Sequence, residues 1–240
     1  MSELCTVEDV DSIREKFQQY DIRGNIRVDY PHTLYPHLKR SSVLVPIFFK
    51  TGQWRVLLTI RSRKLKNHTG SVAFPGGVSD QSDADEVSTA LREAEEEVGL
   101  LRQDVKVVAV LHPCFVAPGN VVFPVVGVIN RDFVPKLNSD EVEAVFDLPL
   151  EQFLHGSNKS HTWNPFGHEI HVYVFPCVVG DKHVDVWGFT AVVCVSVAYV
   201  LFNVKKRARI LTQSNEADDD IFGDFVFTFH HLCQNMKARL

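Results

Sequence analysis

Apolar positions early in the chain recur at Val7, Val10, Ile13 and Phe17, a three-to-four spacing that predicts a helix over 7–20. A Gly- and Pro-containing stretch, 24–36, then reads as an entry segment to a folded domain that begins near residue 40. Residues 42–49 and 54–60 are apolar, β-branched runs, and Lys50-Thr51-Gly52-Gln53 between them signals a hairpin. After a polar loop come Val72-Ala73-Phe74 and the break Pro75-Gly76-Gly77. The pattern next predicts a helix over 84–98 and strands at 105–111, 121–129 and 170–175, with a further strand-like segment ending at Leu148-Pro149. The apolar run 189–204 is interrupted by Thr190, Ser196 and Asn203 and falls short of the ~20 residues that cross a bilayer, so it predicts a buried helix with Thr190 as its N-cap rather than a membrane span. Past Asp218-Asp219-Asp220, the aromatic-rich residues 221–229 predict a terminal helix.

Strands, one helix, more strands and more helix exclude an all-parallel doubly wound sheet and an all-β barrel. The expected class is α/β, a mixed β-sheet sandwiched between helices. The expected division is an N-terminal helical extension (1–39), a central domain (40–205) and a C-terminal segment (206–240). A formal net charge of -5 argues against a protein that lives off phosphate-backbone contacts, so no nucleic-acid partner is expected. The five cysteines show no C-x-x-C spacing and read as free thiols of a reducing compartment. Glu3, Glu8, Asp9 and Asp11 make the first residues wrong for a secretory signal and too acidic for a mitochondrial transit peptide.

Between Asp80 and Glu97 lie eight carboxylates against one arginine, Arg92. On a helix, Val87, Ala90, Leu91, Ala94 and Val98 make one apolar stripe; Glu86, Glu93 and Glu97 border it within about 40° of one another, with Glu96 beside them. Like charges three and four apart cost a helix about 0.2–0.5 kcal/mol per pair, a cost that a bound divalent cation would reverse. The donors are all oxygens, which selects Mg²⁺ or Mn²⁺ over Zn²⁺, although acidic helix faces are also common without any ion. Asp83 and Glu86, three apart, can serve as a capping pair at the helix start.

The frame Gly77-x5-Asp83-x8-Arg92-Glu93-Ala94-x-Glu96-Glu97-x-Gly99-Leu100 resembles the Nudix box, G-x5-E-x7-R-E-U-x-E-E-x-G-U with U aliphatic. Its second half is intact; the first has one extra residue, and Asp83, or functionally Glu86, stands for the earlier glutamate. The resemblance implies the Nudix fold, a metal site at Glu93, Glu96 and Glu97, and hydrolysis of a diphosphate. Upstream, the run from Leu57 to Gly77 resembles L-L-T-x-R-S-x-x-L-R-x-H-x-G-x-V-x-F-P-G-G, which marks the coenzyme A diphosphatases of that family; Lys66 stands where the pattern has Arg. This implies cleavage of coenzyme A, or of an acyl-CoA, to adenosine 3′,5′-bisphosphate and 4′-phosphopantetheine or its acyl form.

The residues support that division of labour. Arg61, Arg63, Lys64 and Lys66 form a basic loop, suited to a phosphate monoester, just before an acidic helix suited to a cation that neutralises the diphosphate. Expected substrate-binding residues are Arg61, Lys64, Lys66, His68, Gly76 and Gly77; Arg92 is expected to orient a glutamate, and Glu141 is a candidate general base. Two rivals stand beside this reading: a Nudix hydrolase for ADP-ribose or a dinucleotide, and a non-catalytic Nudix-fold binding protein. The terminal Ala238-Arg239-Leu240 resembles the S-K-L signal read by the peroxisomal import receptor, so the expected location is peroxisomal, with cytoplasmic as the alternative.

Overall fold

The computed structural model describes residues 7–24, 38–116, 119–155, 159–163 and 170–204, with backbone alone at 7–9, 115, 159–163 and 170–173. The expected entry segment past residue 24, the terminal helix over 221–229 and the tripeptide Ala238-Arg239-Leu240 lie outside the described residues.

At the centre are two strands, β1 (Lys39–Lys50) and β7 (Asn120–Ile129), paired in parallel. β1 also pairs antiparallel with β2 (Gln53–Arg61) at one end and with β4 (Gly76–Val78) at the other. β2 carries β3 (Val72–Ala73) and β8 (Val142–Pro149), and β7 carries β5 (Val105–Val110) and β6 (Cys114–Val116), all antiparallel, giving one mixed sheet of eight strands. A second, antiparallel sheet runs β9 (Lys159–Trp163), β10 (Ile170–Val179) and β11 (Lys182–Trp187). β4, β6, β9 and β11 were not expected from the pattern, and β4 begins inside the expected break Pro75-Gly76-Gly77; they are short, glycine-bearing or carry polar and charged residues that weaken the alternation.

Side-chain alternation divides the strands between two faces. Val45, Ile47, Val56, Leu58, Val126 and Val128 face the core that contains α1 (Val7–Phe17) and α3 (Gly188–Leu201). Leu44, Phe48, Leu57, Phe123 and Val125 face the core under α2 (Glu86–Val98). α1 is not a detached extension, because Ile13 and Phe17 are buried in the first of these cores and Lys16 donates to the carbonyl of Leu201. α3 is apolar nearly all round, as a helix enclosed in a core must be, and no described helix is long and apolar enough to cross a membrane. It starts at Gly188, two residues before the expected cap; Thr190 instead donates its hydroxyl to the carbonyl of Val72, tying the helix to β3.

The placement of the site follows from how β1 and β2 diverge. They pair only at 47–50 with 53–56, and into the wedge beyond runs the segment 72–78, which pairs first with β2 and then crosses to β1. Pro46 lies where β1 changes partner from β4 to β2, and Pro124 where β7 changes from β6 to β5. A proline lacks the N–H that such a gap would leave unpaired, so two residues normally excluded from central strands are tolerated here.

Leu58 is fully buried on the α3 side of β2, whereas Val134 is 82% exposed. Leu58→Ala should cost about 2–5 kcal/mol in denaturant unfolding, and Val134→Ala should stay within about 0.5 kcal/mol of the parent.

Candidate active site

The helix that carries most of the carboxylates is delimited at both ends. Asp85, extended, accepts a hydrogen bond from the Ser88 N–H as N-cap, and Gly99, at φ 72°, closes the last turn with its own N–H on the Glu95 carbonyl and the Leu100 N–H on that of Ala94. The expected capping pair Asp83 and Glu86 is not formed. Glu86 is the first helical residue and pairs with Arg40, while Asp83 grips Arg92 through two bonds of 3.0 and 2.9 Å. Arg92, by donating these two hydrogen bonds, holds Asp83 far below the usual carboxylate range, at about 2. The same guanidinium reaches Glu93 at 2.9 Å, Glu96 at 3.1 Å and the carbonyl of Val78, so it organises the helix face against the β4 strand.

Glu93, Glu97 and Glu141 converge, each offering a carboxylate oxygen within 4.8 Å of the others. Glu97 is buried, its side chain 3% exposed, with one oxygen accepting from the Gly76 N–H at 3.1 Å and the other 3.8 Å from the Arg61 guanidinium. Burial is the chief cause that pushes its carboxyl up to about 7, with Glu93 and Glu141 adding repulsion against the pull of Gly76 and Arg61. Burial likewise raises Glu93, though Arg92 opposes the shift.

Two glycines make room for this arrangement. A Cβ on Gly77 would sit 2.5 Å from the Glu93 carboxyl carbon, and one on Gly76, at φ 156°, would meet the Ser42 carbonyl at 2.4 Å. Glu141 arrives from the far side of the helix end. The N–H groups of Lys136 and Asn138 bond the carbonyls of Val98 and Glu97, and the Asn138 amide donates to the Glu141 carboxylate at 3.1 Å. Asn138 carried no signal in the sequence, because its role depends on a loop docked to a helix end forty residues upstream.

The structure thus brings together Glu93, Glu97, Glu141, Arg61, Gly76 and Gly77, with Arg92 alongside. Glu96 is about half exposed and lies on Arg92, outside the group of three converging carboxylates. Of the basic loop, only Arg61 reaches the cluster; Lys64 pairs with Asp140 at 2.7 Å and Arg63 with Glu143 at 3.5 Å. Lys66 and His68 are exposed, and His68 occupies a left-handed turn position at φ 53°. The loop is nevertheless anchored to the site, because the Ser62 N–H donates to the Glu141 carbonyl at 2.8 Å.

Three acidic oxygens held this close, one from a buried residue, repel one another unless a proton or a cation lies between them. The donor set fits a hard divalent ion such as Mg²⁺ or Mn²⁺. The profile of the NUDIX domain matches residues 38–171. The chain belongs to the Nudix family. As in members of this family generally, divalent Mg²⁺ or Mn²⁺ is the expected cofactor, and the acidic group provides a place for it.

Among Nudix relatives, the chain is similar to Nudix hydrolase 15, mitochondrial, of Arabidopsis thaliana, 41% identical over 168 residues, covering 68% of this chain and 59% of that protein. It is also similar to the peroxisomal coenzyme A diphosphatase NUDT7 of Mus musculus, 44% identical over 137 residues, covering 56% of this chain and 58% of that protein. The chain therefore spans somewhat under two thirds of the length of these Nudix relatives. A solved structure, the C. elegans Ap4A hydrolase binary complex, matches 49% of this chain and 85% of its own at 21% identity and TM-score 0.41.

The raised Glu97 sets a pH dependence. Folding without metal favours the protonated carboxyl, so the stability it contributes is complete below the unfolded value near 4.5 and is lost as pH rises through about 7. In chelator, the parent should lose roughly 3 kcal/mol relative to Glu97→Gln between pH 4.5 and 7.5, read from denaturant unfolding of both. A pH-independent difference between the two proteins would contradict the assignment. Asp83 acts oppositely, its stabilisation present above about 3.8 and lost toward pH 2.

Proposed function

We propose that this Nudix protein is a divalent-cation-dependent diphosphatase that hydrolyses coenzyme A, or its acyl thioesters, to adenosine 3′,5′-bisphosphate and 4′-phosphopantetheine or the acyl form. The observation that carries the reading is that the basic loop is attached to the acidic cluster, Arg61 facing Glu97 and the Ser62 N–H on the Glu141 carbonyl. A ligand with both a diphosphate and a separate phosphate monoester needs that juxtaposition. The coenzyme A signature from Leu57 to Gly77 and the name of the mouse relative support it.

Glu93 and Glu97 would hold the cation, with Glu96 as the further candidate on the same helix. Once bound, such an ion neutralises diphosphate charge and activates water. Arg92 keeps Glu93 and Glu96 oriented, and Arg61 adds a positive charge beside the diphosphate. Asn138 holds one oxygen of Glu141, leaving the other to take a proton from attacking water as general base.

Incubation with coenzyme A and Mg²⁺ should yield the two named products, and a substrate panel including ADP-ribose and dinucleotides separates this reading from its rival. Faster turnover of ADP-ribose than of coenzyme A would overturn the substrate assignment. Glu96→Gln or Glu97→Gln should lower kcat by at least ~10²-fold with circular dichroism unchanged; near-normal turnover in both would remove the metal helix from the mechanism, and no turnover of any panel member by the parent would favour the binding-protein alternative.

A peroxisomal location belongs to the same proposal, with Ala238-Arg239-Leu240 as the element read by the import receptor; the mouse relative's name supports it, while the Arabidopsis relative is named mitochondrial. A fluorescent protein fused to the N-terminus should accumulate in peroxisomes and become diffuse on deletion of Leu240. Identical distributions of the two fusions would refute the address.

A further inference from the structure

Where β2 ends and β8 begins, a cleft of about 340 Å³ is lined by Ile60, Arg63, Gly70, Glu143, Lys182, His183 and Val184. Its walls come from parts of the chain that sequence reasoning kept separate: the basic loop, the start of β8, and the first residues of β11 in the second sheet. Glu143 enters it because of an irregularity in the ladder. Ile60 pairs with Ala144 and Arg61 with Val142, so Glu143 is the extra residue of a bulge, and a bulge re-aims its side chain. The carboxylate is met by Lys182 from one side and by Arg63 at 3.5 Å from the other.

Lys182 and Arg63 outnumber that one carboxylate, and both side chains are more than half exposed, open to an incoming anion. Glu143 stands two residues beyond Glu141, so the backbone at these two residues, one in the cleft and one in the cluster, is separated by about 7 Å at most. That is on the scale of the gap between two phosphates carried on one ribose. Arg61, the loop cation that sequence reasoning associated with the monoester, is instead engaged with Glu97.

We propose that Arg63, Lys182 and His183 form a subsite for the phosphate monoester of the nucleotide, with Glu143 as an internal counter-ion that the phosphate displaces. This rests on the reading of the protein as a coenzyme A diphosphatase, and it assigns substrate discrimination to the β10–β11 hairpin rather than to the Nudix helix. An ion-pair latch between the two sheets uses the same residues, and the two roles differ in sign at one position. With Glu143→Gln, a phosphate subsite loses its competitor and binds more tightly, whereas a latch loses its centre and the site loosens.

The test measures binding without turnover, so it stays independent of which substrate is hydrolysed. Calorimetric titration of the full chain with adenosine 3′,5′-bisphosphate and with AMP, in Mg²⁺, compares parent, Lys182→Ala and Glu143→Gln. Lys182→Ala should weaken the bisphosphate about tenfold and AMP less than twofold. Glu143→Gln should tighten the bisphosphate several-fold. Equal losses for both ligands in Lys182→Ala, or weaker bisphosphate binding in Glu143→Gln, would overturn the subsite. If the bisphosphate arm behaves as expected while coenzyme A is not hydrolysed, the subsite stands and the diphosphatase assignment falls.

Discussion

Everything around the acidic site answers to one constraint: three carboxylates, one of them buried, are held within 4.8 Å of one another. Such an arrangement is unfavourable unless hydrogen-bond donors, a proton or a cation compensate it. The Gly76 N–H and Arg61 supply part of that compensation to Glu97, the Asn138 amide does so for Glu141, and Arg92 for Glu93. What remains uncompensated appears as the raised Glu97 carboxyl and defines the site's appetite for positive charge. Arg92 is in turn kept charged and in place by Asp83, whose carboxyl moves the opposite way.

The scaffold exists to impose that proximity. Divergence of β1 and β2 opens a wedge, the segment 72–78 fills it, and the glycine pair within that segment lies directly against Glu93 and Glu97. α2 rests on β1 through Ala90, Leu91, Ala94 and Val98, which fixes the height of its acidic ridge over the glycines. The loop before β8 then docks on the helix C-terminus and brings in the third carboxylate. Nothing in this chain of contacts uses an exposed ion pair as a main support, which suits a site that must keep its geometry at ordinary ionic strength.

The bulge near Glu143 separates two tasks along one strand. Glu141, just before it, belongs to the acidic cluster; Glu143, at it, belongs to the neighbouring basic cleft. One extra residue therefore sends two neighbouring carboxylates to opposite chemical environments.

The sequence by itself determined the α/β class, the hairpin, the position of α2 to within two residues at its start, and the family, because apolar periodicity and a dense motif are local properties of the chain. It also marked Glu93, Glu97, Arg61 and the glycine pair through their spacing, and singled out Glu141 on weaker grounds. Only tertiary structure decided that Asp85 rather than the Asp83–Glu86 pair caps α2, that Arg92 takes up Asp83, and that Glu96 lies on Arg92. The same holds for Asn138, Glu143 and Lys182, which meet their partners through loop docking, a strand bulge and the approach of a second sheet. The physical reason is that a charged side chain has several acceptable partners within reach of its own segment, and which one it takes depends on what folding brings beside it.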